Sequence, residues 1–487
     1  MLRPLCFALA ALLTAPAWSH DARINHYSVT VDAGAKRIHI DADVWVDGNA
    51  LALFNATPIA QYKNGQADLL ENLAVRDMAG QAIAVKDKGE GEYDIIGERR
   101  VRLSYDVRME HDKVDWPPGN EEVAYHTEEG LMVTGYTLFI VPGDKMPGAT
   151  EVRFHLPAGW KANTPWRASG AAHTFTVGSR RELVSNALFL GTAHAETFTS
   201  GGVELTLVMG KRYWPQRALF MELIERQLKS YLVLFGAPPL AGRYLIVINQ
   251  GDTGDGGAFS GSFSQYLKTD ANAETRVIWG HVLAHELCHF WNGLSLVPAE
   301  DSMEWFKEGV TDYLTVTAMA RNGVASRDFL LQYLENLPRG QVVARQLMGL
   351  KPTVREAVKD KHRNWLLVYG GGTLAALAMD VELRKASQGK TGLPDLVKAL
   401  YGEFGKPGKT YTQADVVRIG KALTGADLGP VLEPIVGSTS TPKLEPLFGE
   451  LGMHLEQFGM LEAYLLRASN GTETQHQRFI DIFGMKY

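Results

Sequence analysis

The stretch "HVLAHELCHFWNG" holds two histidines, His285 and His289, four residues apart, with Glu286 directly after the first. On an α-helix that spacing stacks both imidazoles on one face, so their ring nitrogens can converge on a zinc ion at about 2.0–2.1 Å. Glu286 stands beside the ion and not on it, where its carboxylate can take a proton from an attacking water. After eighteen intervening residues comes Glu308, in "MEWFKEGVTDYL". A carboxylate there completes a His-His-Glu donor set and leaves the fourth tetrahedral position open, as a catalytic site for one zinc ion requires. Asp312 follows one helical turn after Glu308, placed to accept the N–H of a ligating imidazole and hold its tautomer.

Two nearby residues are excluded as ligands. His281 shares the helical face of His285 and His289, but eight residues at ~1.5 Å each separate it from His289 by ~12 Å, so a packing or supporting role is expected. Cys288 points away from that face and is expected to be a small buried residue.

The elements that must position this set change character along the chain. From Arg23 to about Gly210 the apolar period is two: Tyr27, Val29 and Val31 fall on one face, and Ile38, Ile40, Val44 and Val46 continue the pattern after a turn at Asp32-Ala33-Gly34. "VRLSYDVRM", "EVRFHLPAGW" and "GVELTLVMG" supply further strands. The expectation is an antiparallel β-sandwich over residues 20–212. In "QRALFMELIERQLKSYLVLFG" the spacing becomes helical through Phe220, Ile224, Leu228, Leu232 and Phe235, and Gly236 stops it. A buried strand, "RYLIVIN", a glycine-rich stretch and helices near 276–292 and 302–320 follow, and helices dominate to about residue 430. One of these, in "TYTQADVVRIGKAL", has capping-box spacing at Thr412 and Asp415. The predicted fold class is α+β, with a catalytic domain over residues 213–345 and a C-terminal helical domain over residues 346–487.

The site residues resemble the gluzincin metallopeptidases, whose pattern is H-E-x-x-H, eighteen residues, then E-G. "HELCHFWNGLSLVP" followed by "WFKEGVTDYL" is most similar to the glycyl aminopeptidase family, related to aminopeptidase N catalytic domains, where H-E-x-x-H-x-W-N and E-G-x-T-D-Y recur. "VPGDKMPGATEVRFHLPAGWKANTPW" and "GKTYTQADVVRIGKALTGADLGPVLEPIVGST" also resemble that family's flanking regions. The resemblance implies a thermolysin-like catalytic domain, with His285, His289 and Glu308 as ligands and Glu286 as the base. The PDZ module common at the end of such proteins is not expected in residues 451–487.

The resemblance also implies a tyrosine that assists the transition state, from a Y-x-K-G motif. In "LLVYGGGTLAAL" that place belongs to Tyr369, and the motif lysine is Gly371. A core tyrosine opening a helix is the open alternative, and His362 is a weaker candidate for the same work. The family's G-G-L-E-H-like stretch, where the broader group binds a substrate α-amine, is "GGAFSGSFS" here. Gly256 and Gly257 remain for close backbone approach to a peptide, but Phe259 and Ser260 stand at the acid and histidine positions. Asp252 and Asp255 are open between amine-binding substitutes and turn residues. The expected function is zinc-dependent peptide hydrolysis, aminopeptidase-like with altered N-terminus recognition, so that endopeptidase action stays open. The alternative is a catalytically silent, zinc-stabilised peptide-binding protein.

Composition bounds the partners. With 45% apolar and 21% charged residues in 487, and a net charge of −6, the chain is an ordinary globular one. No basic stripe points to nucleic acid, and the glycine-rich loop lacks the G-K-[ST] of a nucleotide site. Residues 1–19 have the form of a secretory signal: Arg3, an apolar run Leu5 to Ala15, then the small-x-small Ala17-Trp18-Ser19. That run is short of the about 20 residues that span a bilayer. An exported, periplasmic or secreted protein without stable membrane insertion is therefore expected, and no later segment reads as a transmembrane helix. Of two cysteines, Cys6 leaves with the signal and Cys288 has no partner, so the fold must rest on its core. A peptide or protein substrate is the expected partner, and the oligomeric state stays open.

Overall fold

The period-two strands of the N-terminal region bury the faces their sequence predicts. Tyr27, Val29, Val31, Ile38, Ile40, Val44 and Val46 are all buried, as are Val101, Leu103, Tyr105 and Val107. The computed structural model describes residues 23–487 except 47, 55, 98–99, 117–118, 120–122, 144–145, 147, 252–255 and 460. The leader expected at residues 1–19, and Asp252 and Asp255, lie outside the described residues.

Ile24–Val31, Arg37–Trp45, Leu70–Arg76, Arg100–Arg108, Ala149–His155, Arg167–Ala168 and Thr174–Val177 form a seven-stranded sheet. Its apolar face shares one core with two four-stranded sheets, which include Ala50–Leu53, Glu92–Ile95, Gly130–Thr134 and Ala187–Gly191. The result is a sandwich, but not a wholly antiparallel one. Ile24–Val31 runs antiparallel to Arg37–Trp45 on one side and parallel to Ala149–His155 on the other.

A second difference lies at the end of this region. His194–Ser200 and Val203–Met209, read from period alone as N-terminal strands, hydrogen-bond instead into a five-stranded sheet with Arg243–Gln250, Ser262–Leu267 and Gly256–Ala258. Val203–Met209, Arg243–Gln250 and Ser262–Leu267 run parallel, and Gly256–Ala258 is the edge strand next to Ser262–Leu267. One face of this sheet meets the helices Arg217–Phe235 and Arg276–Cys288, with Leu205, Leu207, Ile246, Ile248 and Phe263 in that core. The other face packs on the sandwich through Val208, Leu245, Val247 and Tyr266.

The helix Arg217–Phe235 buries Phe220, Ile224, Leu228 and Phe235 and ends at Gly236, whose φ of 77° is the left-handed cap expected of glycine. Leu232 is only half buried, and Tyr231 occupies the core in its stead. Gln413–Thr424 opens with the expected Thr412–Asp415 capping box. Gly372–Ala386 and Leu393–Phe404 join the same core as the zinc-motif helix. Contrary to the expectation from sequence, the segment Leu366–Ala386 is long and apolar enough to cross a membrane, but 78% of its apolar 18-residue stretch is buried inside the fold, as befits a central core helix. The closing residues form a hairpin, Met453–Gln457 with Ala463–Arg467, and a helix, Glu473–Phe483. They dock on the body: Arg339 donates to the Ala463 carbonyl at 2.6 Å and Arg321 to that of Asp481 at 2.8 Å.

Candidate metal centre

The helix Arg276–Cys288 turns Trp279, Leu283 and Leu287 into the core. Tyr231 ties it to the neighbouring helix by donating to the Ala284 carbonyl at 2.8 Å. This packing leaves His285 and His289 together on the opposite face, both nearly fully buried. Glu308 comes from a second segment, Phe306–Val310, which has π-helical hydrogen bonding and continues as the α-helix Thr311–Arg321. Such wide turns cluster at functional sites, because they redirect a side chain that a regular helix would point elsewhere.

The three donor atoms form a nearly equilateral triangle. His285 Nε2 and His289 Nε2 are 3.1 Å apart, and Glu308 Oε2 is 3.3 Å from the first and 3.2 Å from the second. Donors about 2.0 Å from a common tetrahedral centre stand about 3.3 Å from one another, so the triangle has the size of a zinc site. The tautomers agree. His289 Nδ1 lies 2.8 Å from the Asn292 carbonyl, which only an Nδ1–H can satisfy, and His285 Nδ1 lies 3.3 Å from Asp312 Oδ1. Both Nε2 atoms therefore present lone pairs to the same point as the carboxylate oxygen, and a shared cation is what such a set of acceptors fits.

The charges around the triangle are paired. Burial alone would raise the Glu308 carboxyl, but Lys307, His289 and Lys361 hold it well below the usual carboxylate range. Burial likewise opposes the charged form of His285, yet Asp312, Glu308 and Glu286 outweigh it and raise the ion-free imidazole to about 10, so that a cation at the triangle would displace the Nε2 proton to reach the lone pair. Asp312 is kept ionised against its burial by His281 and His285. It also accepts the Tyr333 hydroxyl. His281 Nε2 approaches Asp312 Oδ1 to 3.0 Å, so its place is behind the site and not on the ion. Cys288 is fully buried, and burial pushes its thiol up.

Glu286 sits one residue past the first histidine, half buried. Its carboxylate has no hydrogen-bond or ion-pair partner among the described residues, and its field reaches His285 and Tyr369. Tyr369 lies in a second π-helical segment, Leu366–Gly371, with its ring centroid 5.9 Å from that of His285. Burial first, then the charges of Glu308, Glu286 and Glu304, raise its phenol well above the ordinary value, so the hydroxyl keeps its proton. His362 is exposed to solvent.

The glycine-rich stretch divides. Gly256 and Gly257 form the edge strand, and a Cβ on Gly256 would lie 3.2 Å from Val282 Cγ1, one helical turn before Glu286. The strand thus runs beside the face that bears the base. Phe259 and Ser260, at the acid and histidine positions of the resembled substrate-binding stretch, turn the other way. Phe259 is buried in the cluster between the catalytic sheet and the sandwich, with Tyr125, Phe189 and Tyr266. The Ser260 amide donates to the Ser185 carbonyl at 3.0 Å. Both residues fasten the hairpin turn to the N-terminal sandwich, because the apolar ring finds its burial there.

Several residues of the site were not singled out from sequence. Asn292 Nδ2 donates to the carbonyls of Phe306 and Lys307, each at 3.2 Å, and to Thr311 Oγ1 at 3.0 Å. With its own carbonyl on His289, it pins the histidine helix to the Glu308 turn. Its signal was present in the H-x-W-N pattern. Lys307 and Lys361 both reach the distal oxygen of Glu308 and are bridged in turn by Glu304, and no spacing rule points to Lys361.

The model of the peptidase M61 N-terminal domain matches residues 26–192, and that of the M61 glycyl aminopeptidase matches residues 279–348. Among solved structures, an aminopeptidase N family protein from Idiomarina loihiensis is similar over 89% of this chain and 79% of its own, at 18% identity and a TM-score of 0.74. An M1 zinc metallopeptidase from Deinococcus radiodurans is similar over 87% of this chain and 95% of its own, at 16% identity and a TM-score of 0.57. At these identities the likeness is one of fold. No curated protein sequence matches the chain. The resemblance read from "HELCH" and "WFKEG" is therefore matched by two family models, the peptidase M61 N-terminal domain over residues 26–192 and the M61 glycyl aminopeptidase over residues 279–348.

Proposed function

We propose that the protein is a zinc metallopeptidase that hydrolyses peptide bonds, aminopeptidase-like in architecture but altered in how it meets a substrate N-terminus. The observation that supports this most is the convergence of three lone pairs, on His285, His289 and Glu308, beside a Glu286 carboxylate that has no hydrogen-bond or ion-pair partner among the described residues. Zinc held at that point supplies Lewis acidity to a carbonyl and to water. Glu286 takes the proton of the attacking water and passes it to the leaving amine. Tyr369 donates its phenolic hydrogen to the oxyanion as it develops. Asp312 and the Asn292 carbonyl hold the two imidazoles in the tautomer that leaves Nε2 free. The edge strand Gly256–Ala258 aligns the peptide by strand addition at the end of the five-stranded sheet.

Recognition of a free α-amine needs an acid near the end of the peptide. Phe259 and Ser260 do not supply it, and Asp252 and Asp255 lie outside the described residues, so endopeptidase substrates stand beside aminopeptidase ones. The N-terminal leader is read as directing the protein out of the cytoplasm. The test is cleavage of matched peptides with free and acetylated N-termini by the zinc-loaded protein, with Glu286→Gln as control. Cleavage of the acetylated peptides supports the altered recognition, and cleavage of free peptides alone, one residue at a time, restores the aminopeptidase reading. Zinc binding without cleavage of either would favour the silent peptide-binding protein.

A further inference from the structure

Glu308 is gripped from behind by two lysines of different origin. Lys307 is its chain neighbour and moves with it. Lys361 comes from a separate segment, 53 residues away, eight residues before Tyr369. Its Nζ donates to Glu308 Oε1 and to Glu304 Oε1, each at 2.7 Å. Lys307 Nζ reaches the same two oxygens, each at 3.1 Å. Two ammoniums and two carboxylate oxygens thus alternate around a closed ring, and Oε1 of Glu308 is fully engaged. Only Oε2 faces the two histidines.

Lys361 also lies 5.5 Å from the centroid of the Tyr369 ring, within the range of a cation–π contact. The position where the resembled motif has lysine cannot supply this cation. A Cβ on Gly371 would stand 2.7 Å from Val354 Cγ2. The only lysine that joins the Glu308 wall to the Tyr369 wall, among the described residues, is Lys361.

We propose that Lys361 is a positioning residue of the metal centre: it holds Glu308 so that Oε2 alone is offered to the ion, and it fixes the Tyr369 turn against the Glu308 turn. This rests on the zinc-metallopeptidase reading. An ammonium taken from a largely buried cluster leaves its carboxylates uncompensated, so the arrangement is sensitive to that one group.

The test compares the full-length parent with Lys361→Met, Lys361→Gln and Lys361→Arg. Zinc affinity is read by competition with a chromogenic chelator, kcat and KM on a cleaved peptide, and folding by thermal melting. The methionine variant is expected to lose about 10- to 100-fold in zinc affinity and to lower kcat with KM little changed. The arginine variant, which keeps the charge, is expected to recover part of both. Lys361→Gln, which keeps a donor without the charge, gives the same reading should the methionine variant not fold. A folded Lys361→Met or Lys361→Gln protein with zinc affinity and kcat within about twofold of the parent overturns the proposal. A parent that does not bind zinc overturns the metal centre itself, and this role with it.

Discussion

A Cβ on Gly309 would stand 2.3 Å from the Cα of Gly372, so the π-helical turn that bears Glu308 touches, backbone to backbone, the helix start that directly follows the Tyr369 turn. Thr373 seals the contact by donating to the Gly309 carbonyl at 3.2 Å. Alanine normally stabilises a helix relative to glycine, but here the added methyl meets main chain that cannot give way. Gly309→Ala is expected to destabilise the protein by about 1–3 kcal/mol and to weaken zinc binding, because the turns must separate. Urea unfolding and chelator competition check both. An unchanged midpoint would mean that the contact is slack.

Glu286→Gln removes the base without disturbing a ligand. Zinc content is expected to stay at that of the parent, and peptide turnover to fall by about 10²- to 10⁴-fold. Metal analysis and rate measurement on one preparation separate the two. Loss of zinc together with activity would place Glu286 in the donor set instead.

Tyr369→Phe keeps the ring and deletes one hydrogen-bond donor. If the phenol meets the oxyanion, kcat falls by about 10²- to 10³-fold with KM little changed. A core tyrosine would instead lower the melting temperature and leave kcat alone.

Asn292→Ala removes three hydrogen bonds at once, since the acceptors on Phe306, Lys307 and Thr311, in and just after the Glu308 turn, lose a buried donor. The expected cost is about 1–3 kcal/mol of stability, with weaker zinc binding because the two ligand-bearing elements lose their pin. Thermal melting and zinc titration of the variant measure it.

His111 makes stability depend on acid. Burial pushes its imidazole down to about 3, and neither ring nitrogen has a hydrogen-bond partner among the described residues. The unfolded chain takes up that proton near its ordinary value of about 6.5. Between these values the unfolded state binds more protons, so stability falls as the pH falls from about 6.5 towards about 3. His111→Leu, which keeps an apolar group beside Trp116, is expected to remove about 2 kcal/mol of the stability difference between pH 7 and pH 5. Parallel denaturation curves at the two pH values decide it.

Half-buried strands were legible because only one face is buried. Tyr27, Val29 and Val31 alternate with polar residues and occupy the core as read. Gly130–Thr134 and Ala187–Gly191 left no such trace, since both faces are buried: Leu131 and Val133 enter the sandwich core while Met132 enters the core behind the catalytic sheet. Val203–Met209 showed the right period but not its partner, because alternation says which side of a strand is apolar and not which sheet it joins.

The metal set was legible for the same local reason. His285, Glu286 and His289 are related by one helical turn, and that relation is a property of backbone geometry that any helix would keep. By itself, then, the sequence determined which residues could form the donor set, the place of Glu286 beside them, the helix caps at Gly236 and Thr412, and the strand faces of the sandwich. Tertiary structure decided what surrounds them: the inward turn of Phe259, the pin at Asn292, the backbone contact of Gly309 with Gly372, and the reach of Lys361 to Glu308. Each of these depends on where a distant segment packs, and a short-range period carries no information about that distance.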